Sequence, residues 1–150
     1  MKNPVKKFVG VSIATAAAVG VAMMVSLDGN QTAATTGDFR NATTAEVRDS
    51  GGTVLVRGTF AATAGDTDKE IERKAALAAI AGGTAAGEAE IEYNTDKPDV
   101  HEIEFNVTGV PARAIVTLVL DGKDVVSATA NDKGEAEAEV NVKTGQTRTP

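Results

Sequence analysis

His101 is the only histidine of this chain, and there is no cysteine. Neither a multi-histidine nor a thiolate metal centre can therefore be assembled. Acyl transfer would need His101 as the base for Ser50 or Ser127. Neither serine stands in a Gly-x-Ser-x-Gly elbow, and Ser127 falls inside a predicted strand. Catalysis of that kind requires base, orienter and nucleophile together, and the sequence supplies no such set. The expectation is a non-enzymatic protein with no catalytic residue, no cofactor and no metal site.

Three loops carry clustered oxygen donors: Asp66-Thr67-Asp68, Asp121-Gly122-Lys123-Asp124 and Asn131-Asp132-Lys133-Gly134. None has the ligand spacing of an EF-hand, and each is explained by turn chemistry. Sequons at Asn30, Asn41 and Asn106 are those expected by chance in a threonine-rich chain.

The glutamates are more informative. Residues 87–94 read GEAEIEYN and residues 134–141 read GEAEAEVN, a short echo in which Glu alternates with small or apolar residues. On a strand, alternate side chains share a face. Glu88, Glu90 and Glu92 thus form one outward row, Glu135, Glu137 and Glu139 another, and Glu102 with Glu104 a third. If the strand around Glu90 pairs directly with the one carrying Glu102 and Glu104, like charges face one another and destabilise the sheet. An intervening strand, interleaved Lys or Arg, or bound cations or a basic partner would relieve that. Specific Ca²⁺ binding needs about six to eight converging oxygens, which a flat sheet face supplies poorly. A solvated outer face is the plainer expectation, and an acidic interaction face is the functional one.

The elements that would position these residues are strands. Ala45 to Phe60 reads as a hairpin turning at Asp49-Ser50-Gly51-Gly52, and Ala114 to Leu120, apolar on both faces, reads as a central strand. Asp121-Gly122 then turns the chain into a second hairpin with Val125 to Ala130. Asp68 to Ala81 has the composition of a helix, followed by Gly82-Gly83. Its periodicity favours a strand, with Ile71, Ala75, Leu77 and Ala79 opposite Glu70, Glu72 and Lys74, and only Arg73 spoiling the apolar side. The fold expected is all-β: a small antiparallel sandwich or Greek-key-like domain preceded by one N-terminal transmembrane helix.

That helix is read from Phe8 to Leu27, an uncharged run that would span about 30 Å as a helix, the thickness of a bilayer's hydrocarbon layer. Lys2, Lys6 and Lys7 precede it and Asp28 is the first charge after it, so residues 1–7 are expected in the cytoplasm and the rest outside. A cleaved signal peptide is the competing reading, with Thr32-Ala33-Ala34 an imperfect cleavage site; the length of the run favours retention. Gly10, Ala14, Ala18 and Ala22 form a row of small residues that would let the helix pack closely on other membrane helices. Residues 28–37 read as a linker, 38–142 as the extracytoplasmic β-domain and 143–150 as a tail.

With 150 residues there is room for one modest core, built mainly from Val, Ile, Leu and Ala because aromatics make up only 3%. Beyond the three leading lysines, 12 basic side chains stand against 21 acidic ones. Such an acidic domain lacks the footprint for nucleic acid. The functional expectation is a single-pass accessory subunit of the bacterial inner membrane, its helix packed on membrane proteins and its β-domain touching other extracytoplasmic subunits. The alternative is a secreted or tethered domain that holds cations or a basic partner on its glutamate-rich face.

Overall fold

A computed structural model describes residues 23–24, 36–61, 69–80, 82–97 and 99–144. Among the described residues nine strands run in chain order: β1 (Met23–Met24), β2 (Thr44–Asp49), β3 (Val54–Thr59), β4 (Glu70–Ala79), β5 (Ala86–Asn94), β6 (Val100–Thr108), β7 (Ile115–Leu120), β8 (Lys123–Thr129) and β9 (Ala136–Lys143). No described residue is helical, and no helix among them is long and apolar enough to cross a membrane. The expected membrane span lies outside the described residues except for Met23 and Met24, which form β1.

Every pairing is antiparallel. Strands β2 to β6 follow one another as a meander; β7 then pairs on the far side of β2, β8 folds back on β7, and β9 returns to β6. The order β1-β9-β6-β5-β4-β3-β2-β7-β8 is a single sheet. Its β8 and β9 come side by side without a hydrogen-bonded register, so the sheet curls nearly into a barrel. The all-β expectation is met, with one curled sheet enclosing the core where two stacked sheets were an expectation. The interior suits tight curvature: Ala45, Ala75, Ala89, Ala128 and Ala138 face one core together with Phe39, Phe60 and Phe105. Small inward residues beside a few large ones let a barrel-like interior fill without voids.

The ambiguous segment is a strand, β4, with Ala75 and Leu77 buried and Glu72, Lys74 and Ala76 exposed. Arg73, which spoiled the apolar side on paper, is accommodated there. Its Nη1 donates to the Arg40 carbonyl at 2.6 Å, and its guanidinium lies 5.3 Å from the centre of the Phe60 ring. A planar cation with an apolar stem can sit at the rim of a core in this way. Strand β7 is flanked on both sides, by β2 and β8, though it lies near one end of the sheet order.

Both hairpins form. Asp49 Oδ1 accepts the backbone N–H groups of Gly51 and Thr53. Asp121 and Gly122 have φ of 45° and 79°, the two positive values that a two-residue type I′ turn requires. The Asp121 carboxylate also accepts the N–H and hydroxyl groups of both Thr43 and Thr44, tying this turn to the start of β2. Partial burial pushes that carboxyl up, but the threonine hydrogen bonds outweigh it and hold it below its ordinary value.

Gly134, in the turn before β9, has φ of 76°, and a Cβ there would sit 2.1 Å from the Val110 carbonyl oxygen. A Gly134→Ala variant should therefore lose about 2 kcal/mol or more of stability. Urea unfolding of the two proteins side by side checks this, as a lowered midpoint with unchanged slope.

Candidate functional site

The inward residues set the register of the glutamates. Ala89 pairs with Phe105 and Ile91 with Ile103 across β5 and β6, while Phe105 pairs with Ala138 and Ile103 with Val140 across β6 and β9. All are buried. Because side chains alternate, the intervening outward positions must pair too. Glu90 stands opposite Glu104, which stands opposite Glu139. Glu92 stands opposite Glu102, with Glu72 on its other side. Glu88 and Glu137 flank Asn106. The two echo segments, β5 and β9, therefore lie on either side of β6, and the pairing that like charges should disfavour is the one that forms.

Four strands contribute to this face: Glu70 and Glu72 from β4, Glu88, Glu90 and Glu92 from β5, Glu102 and Glu104 from β6, Glu137 and Glu139 from β9. Of the six glutamates expected from the echo, five join it. Glu135 precedes β9 in the turn, where its carboxylate accepts from Asn131 Nδ2 at 2.8 Å. Glu70 and Glu72 come from the segment whose strand character was hardest to read, and only the pairing of β4 on β5 brings them here.

No strand intervenes, so one of the three reliefs is excluded. Interleaved charge supplies a limited amount: Lys74 Nζ lies 2.6 Å from Glu72, 3.0 Å from Glu90 and 4.0 Å from Glu88. Its hydrogen bonds to Glu72 and Glu90 raise its pKa. Among the described residues, Glu92, Glu102, Glu104, Glu137 and Glu139 take part in no ion pair. Burial, reinforced by Glu139, Glu92, Glu104 and Glu90, pushes Glu102 up to about 7. Burial and neighbouring carboxylates likewise raise Glu92 and Glu104. Elsewhere on the sheet charge is balanced: Glu46 receives Arg48 at 2.6 Å and Arg57 Nε at 2.7 Å. Burial pushes Glu46 up, but those two cations bring it below its ordinary value.

At one end of the acidic face is a shallow depression of about 200 Å³, lined by Glu70, Glu92, Asn94, Lys97, Glu102 and Asn141 among others. His101 borders it from β6 and is itself 1% exposed. The Phe39 N–H donates to His101 Nε2 at 3.2 Å, so the neutral ring carries its proton on Nδ1, which has no partner among the described residues. Burial lowers the pKa of this histidine. Its ring packs against Phe39 with 6.0 Å between centroids. Ser127 is engaged with Thr117 at 2.8 Å between hydroxyl oxygens, and Ser50 lies in the β2–β3 turn. Neither serine is a partner of His101.

Of the three oxygen-rich loops, those at 121–124 and 131–134 form turns: Asn131 accepts the nearby backbone N–H groups of Lys133 and Glu135, and Asp121 accepts that of Thr44 at the start of β2; residues 66–68 lie outside the described residues. Among the described residues no group of three or more His, Asp or Glu is placed to hold a metal ion. The row Gly10, Ala14, Ala18 and Ala22 also lies outside them.

Fold and face together define a class: a nearly closed antiparallel β-domain with one carboxylate-covered side. Compared with known proteins, the chain matches no family model, no curated protein and no solved structure.

The raised carboxyl groups give stability a definite pH dependence. Unfolded, Glu102 titrates near 4.5, and folded near 7. Between those values the folded state binds more protons, so stability falls as pH rises through this window. The charges around Glu102 are Glu104 on β6, Glu90 and Glu92 on β5, Glu139 on β9, Glu70, Glu72 and Lys74 on β4, and Lys97 across the depression. Buried His101, with its pKa lowered, works the other way and costs stability as pH falls through its ordinary value, so the Glu102 part is read as a difference: in thermal unfolding, Glu102→Gln should raise Tm more at pH 8 than at pH 5. Further acidification should lower Tm, because Arg40 beside Asp38 holds that carboxyl down at about 2, and Asp121 and Glu46 are also lowered.

Proposed function

We propose that this chain is a non-enzymatic binding domain that engages a basic partner through the acidic face of β4, β5, β6 and β9. One observation carries the reading: the row Glu90, Glu104 and Glu139 lies across three directly paired strands, with Lys74 as the cation beside it. A partner presenting Lys or Arg would relieve repulsion already present in the free domain. Such relief contributes to affinity without new apolar contact, and complementary charge speeds encounter. A basic surface suits the face better than a single metal ion, since the carboxylates are spread over a sheet and do not converge.

The N-terminal apolar segment would bring the domain to or across a membrane. Retained there with its row of small residues packed on neighbouring helices, the protein would be an accessory subunit whose acidic face meets another extracytoplasmic subunit. The intact mass of the mature protein tests retention: a mass lacking the residues before about Ala34 would mark cleavage at a small-residue site and remove the anchored version.

An oligolysine peptide serves as the probe of the face. Calorimetry at about 0.15 M salt, where the Debye length is about 8 Å, should show saturable binding at pH 8. Affinity should fall on lowering the pH toward 5.5, as Glu102 takes up a proton. Combined Glu90→Gln, Glu104→Gln and Glu139→Gln should weaken binding at least about tenfold, roughly 1.4 kcal/mol. Equal binding by the variant and the parent would sink the proposal. Ca²⁺ titrated alone should give no saturable heat.

A further inference from the structure

Residues 36–42 lie against the domain beside the start of β6 without joining any strand. Phe39 and Ala42 are buried there, and the Ala42 N–H donates to the Phe39 carbonyl at 2.9 Å, turning the segment back on itself. Among the described residues two hydrogen bonds tie this stretch to the rest of the domain. The Phe39 N–H donates to His101 Nε2 at 3.2 Å, and the Arg40 carbonyl accepts from Arg73 at 2.6 Å. From Thr43 onward the chain is held more firmly, by the Asp121 carboxylate and then by the pairing of β2 with β3 and β7. Residues 36–42 are thus a strap with one apolar plug, Phe39, and one bond to a titratable ring.

That bond has a chemical direction. A backbone N–H only donates, so Nε2 must offer a lone pair, and the neutral ring does so with its proton on Nδ1. An imidazolium carries hydrogen on both nitrogens. Protonation in place would set two N–H groups against each other and leave a charge on a side chain that is 1% exposed. We propose that His101 is a proton-operated latch: neutral, it holds Phe39 against the core, and protonated, it releases residues 36–42 from the domain.

The charges around the ring do not offset its burial. Asp38 and Arg40 face it from the strap; the carboxylate favours the imidazolium and the guanidinium opposes it. The two are paired with each other at 2.6 Å. On β5 Tyr93 stands directly opposite, and on β9 Val142 does, with Lys143 beside it. Strand β4 brings Arg73 to the Arg40 carbonyl. Along the chain Asp99 and Glu102 flank the histidine, and Glu70, Glu92 and Lys97 line the depression that it borders. Burial is the largest influence, and it lowers the pKa.

Lifting the strap returns the ring to water, where it titrates near its ordinary value of about 6.5. Below that value the open form binds more protons than the closed one, so opening is favoured as pH falls. With a ring that stays neutral while closed, the open population rises about tenfold from pH 7.5 to 5.5. No other histidine exists to spread the effect, and Glu102 acts on the sheet in the opposite sense. The latch is independent of what the acidic face binds, so either can fail alone.

Hydrogen exchange on the full chain, corrected for the intrinsic pH dependence of amide exchange, tests the latch. Protection of the Phe39 and Ala42 amides should fall about tenfold between pH 7.5 and 5.5, while amides of β5 and β6 lose none. Unchanged protection at Phe39 overturns the proposal, and so does an equal loss across β5 and β6. In His101→Gln the side-chain oxygen can accept from the Phe39 N–H without titrating. Protection at Phe39 should then be independent of pH, and a persisting fall counts against the latch. The unmodified protein gives a further reading that needs no variant. Its imidazole ¹⁵N shifts should report a proton on Nδ1 at pH 7.5 and a titration midpoint below the ordinary value; an Nε2–H ring or an ordinary midpoint overturns the assignment.

Discussion

The alternation of side chains along paired strands is the constraint on which most of this molecule depends. Burying Ile91 against Ile103 and Phe105 against Ala138 fixes the register of three neighbouring strands. The same register then sets Glu90, Glu104 and Glu139 in line on the other side. A shift of one residue would relieve the carboxylates only by turning the core residues outward. Each buried aliphatic or aromatic side chain contributes about 1.5–3 kcal/mol, whereas like charges opposite each other on a solvated face cost about 1 kcal/mol or less. The core decides, and the charge pattern follows from it.

The carboxylate face is thus a consequence of packing that carries a chemical property of its own. Lys74 neutralises part of it near β4 and β5, while on β6 the response is a shift in protonation, with Glu102 titrating close to neutrality. The β2–β3 side shows the other solution, one glutamate shared by two arginines. One sheet therefore presents a charge-balanced side and a charge-unbalanced side. A basic partner acting on the second would do for β6 and β9 what Arg48 and Arg57 do for Glu46.

Closure of the sheet rests on small residues. Alanines on the inner face permit a tight curl, and glycines admit neighbouring backbone where a side chain would collide. A Cβ at Gly87 would lie 2.1 Å from the Asn106 carbonyl oxygen, and one at Gly58 would lie 2.3 Å from that of Ala76. These close approaches are on the β5–β6 and β3–β4 sides. At β8 and β9 the sheet instead ends in two edges, and the chain's own N-terminal segment meets one of them.

Much of this was legible in the sequence, because strand alternation and turn chemistry are local. The two hairpins, the positive-φ Asp121-Gly122 turn and the strand character of β4 follow from neighbouring residues alone. So does the outward placement of Glu88, Glu90, Glu92, Glu137 and Glu139. What pairs with what did not follow, since register between distant strands is chosen by the fit of the whole core. Only the tertiary structure placed β6 between the two echo segments, brought Glu70 and Glu72 onto the same face, seated Arg73 over Phe60, and curled the strands into one sheet. The sequence by itself determined which residues point outward; the packing of their inward neighbours decided which of them meet.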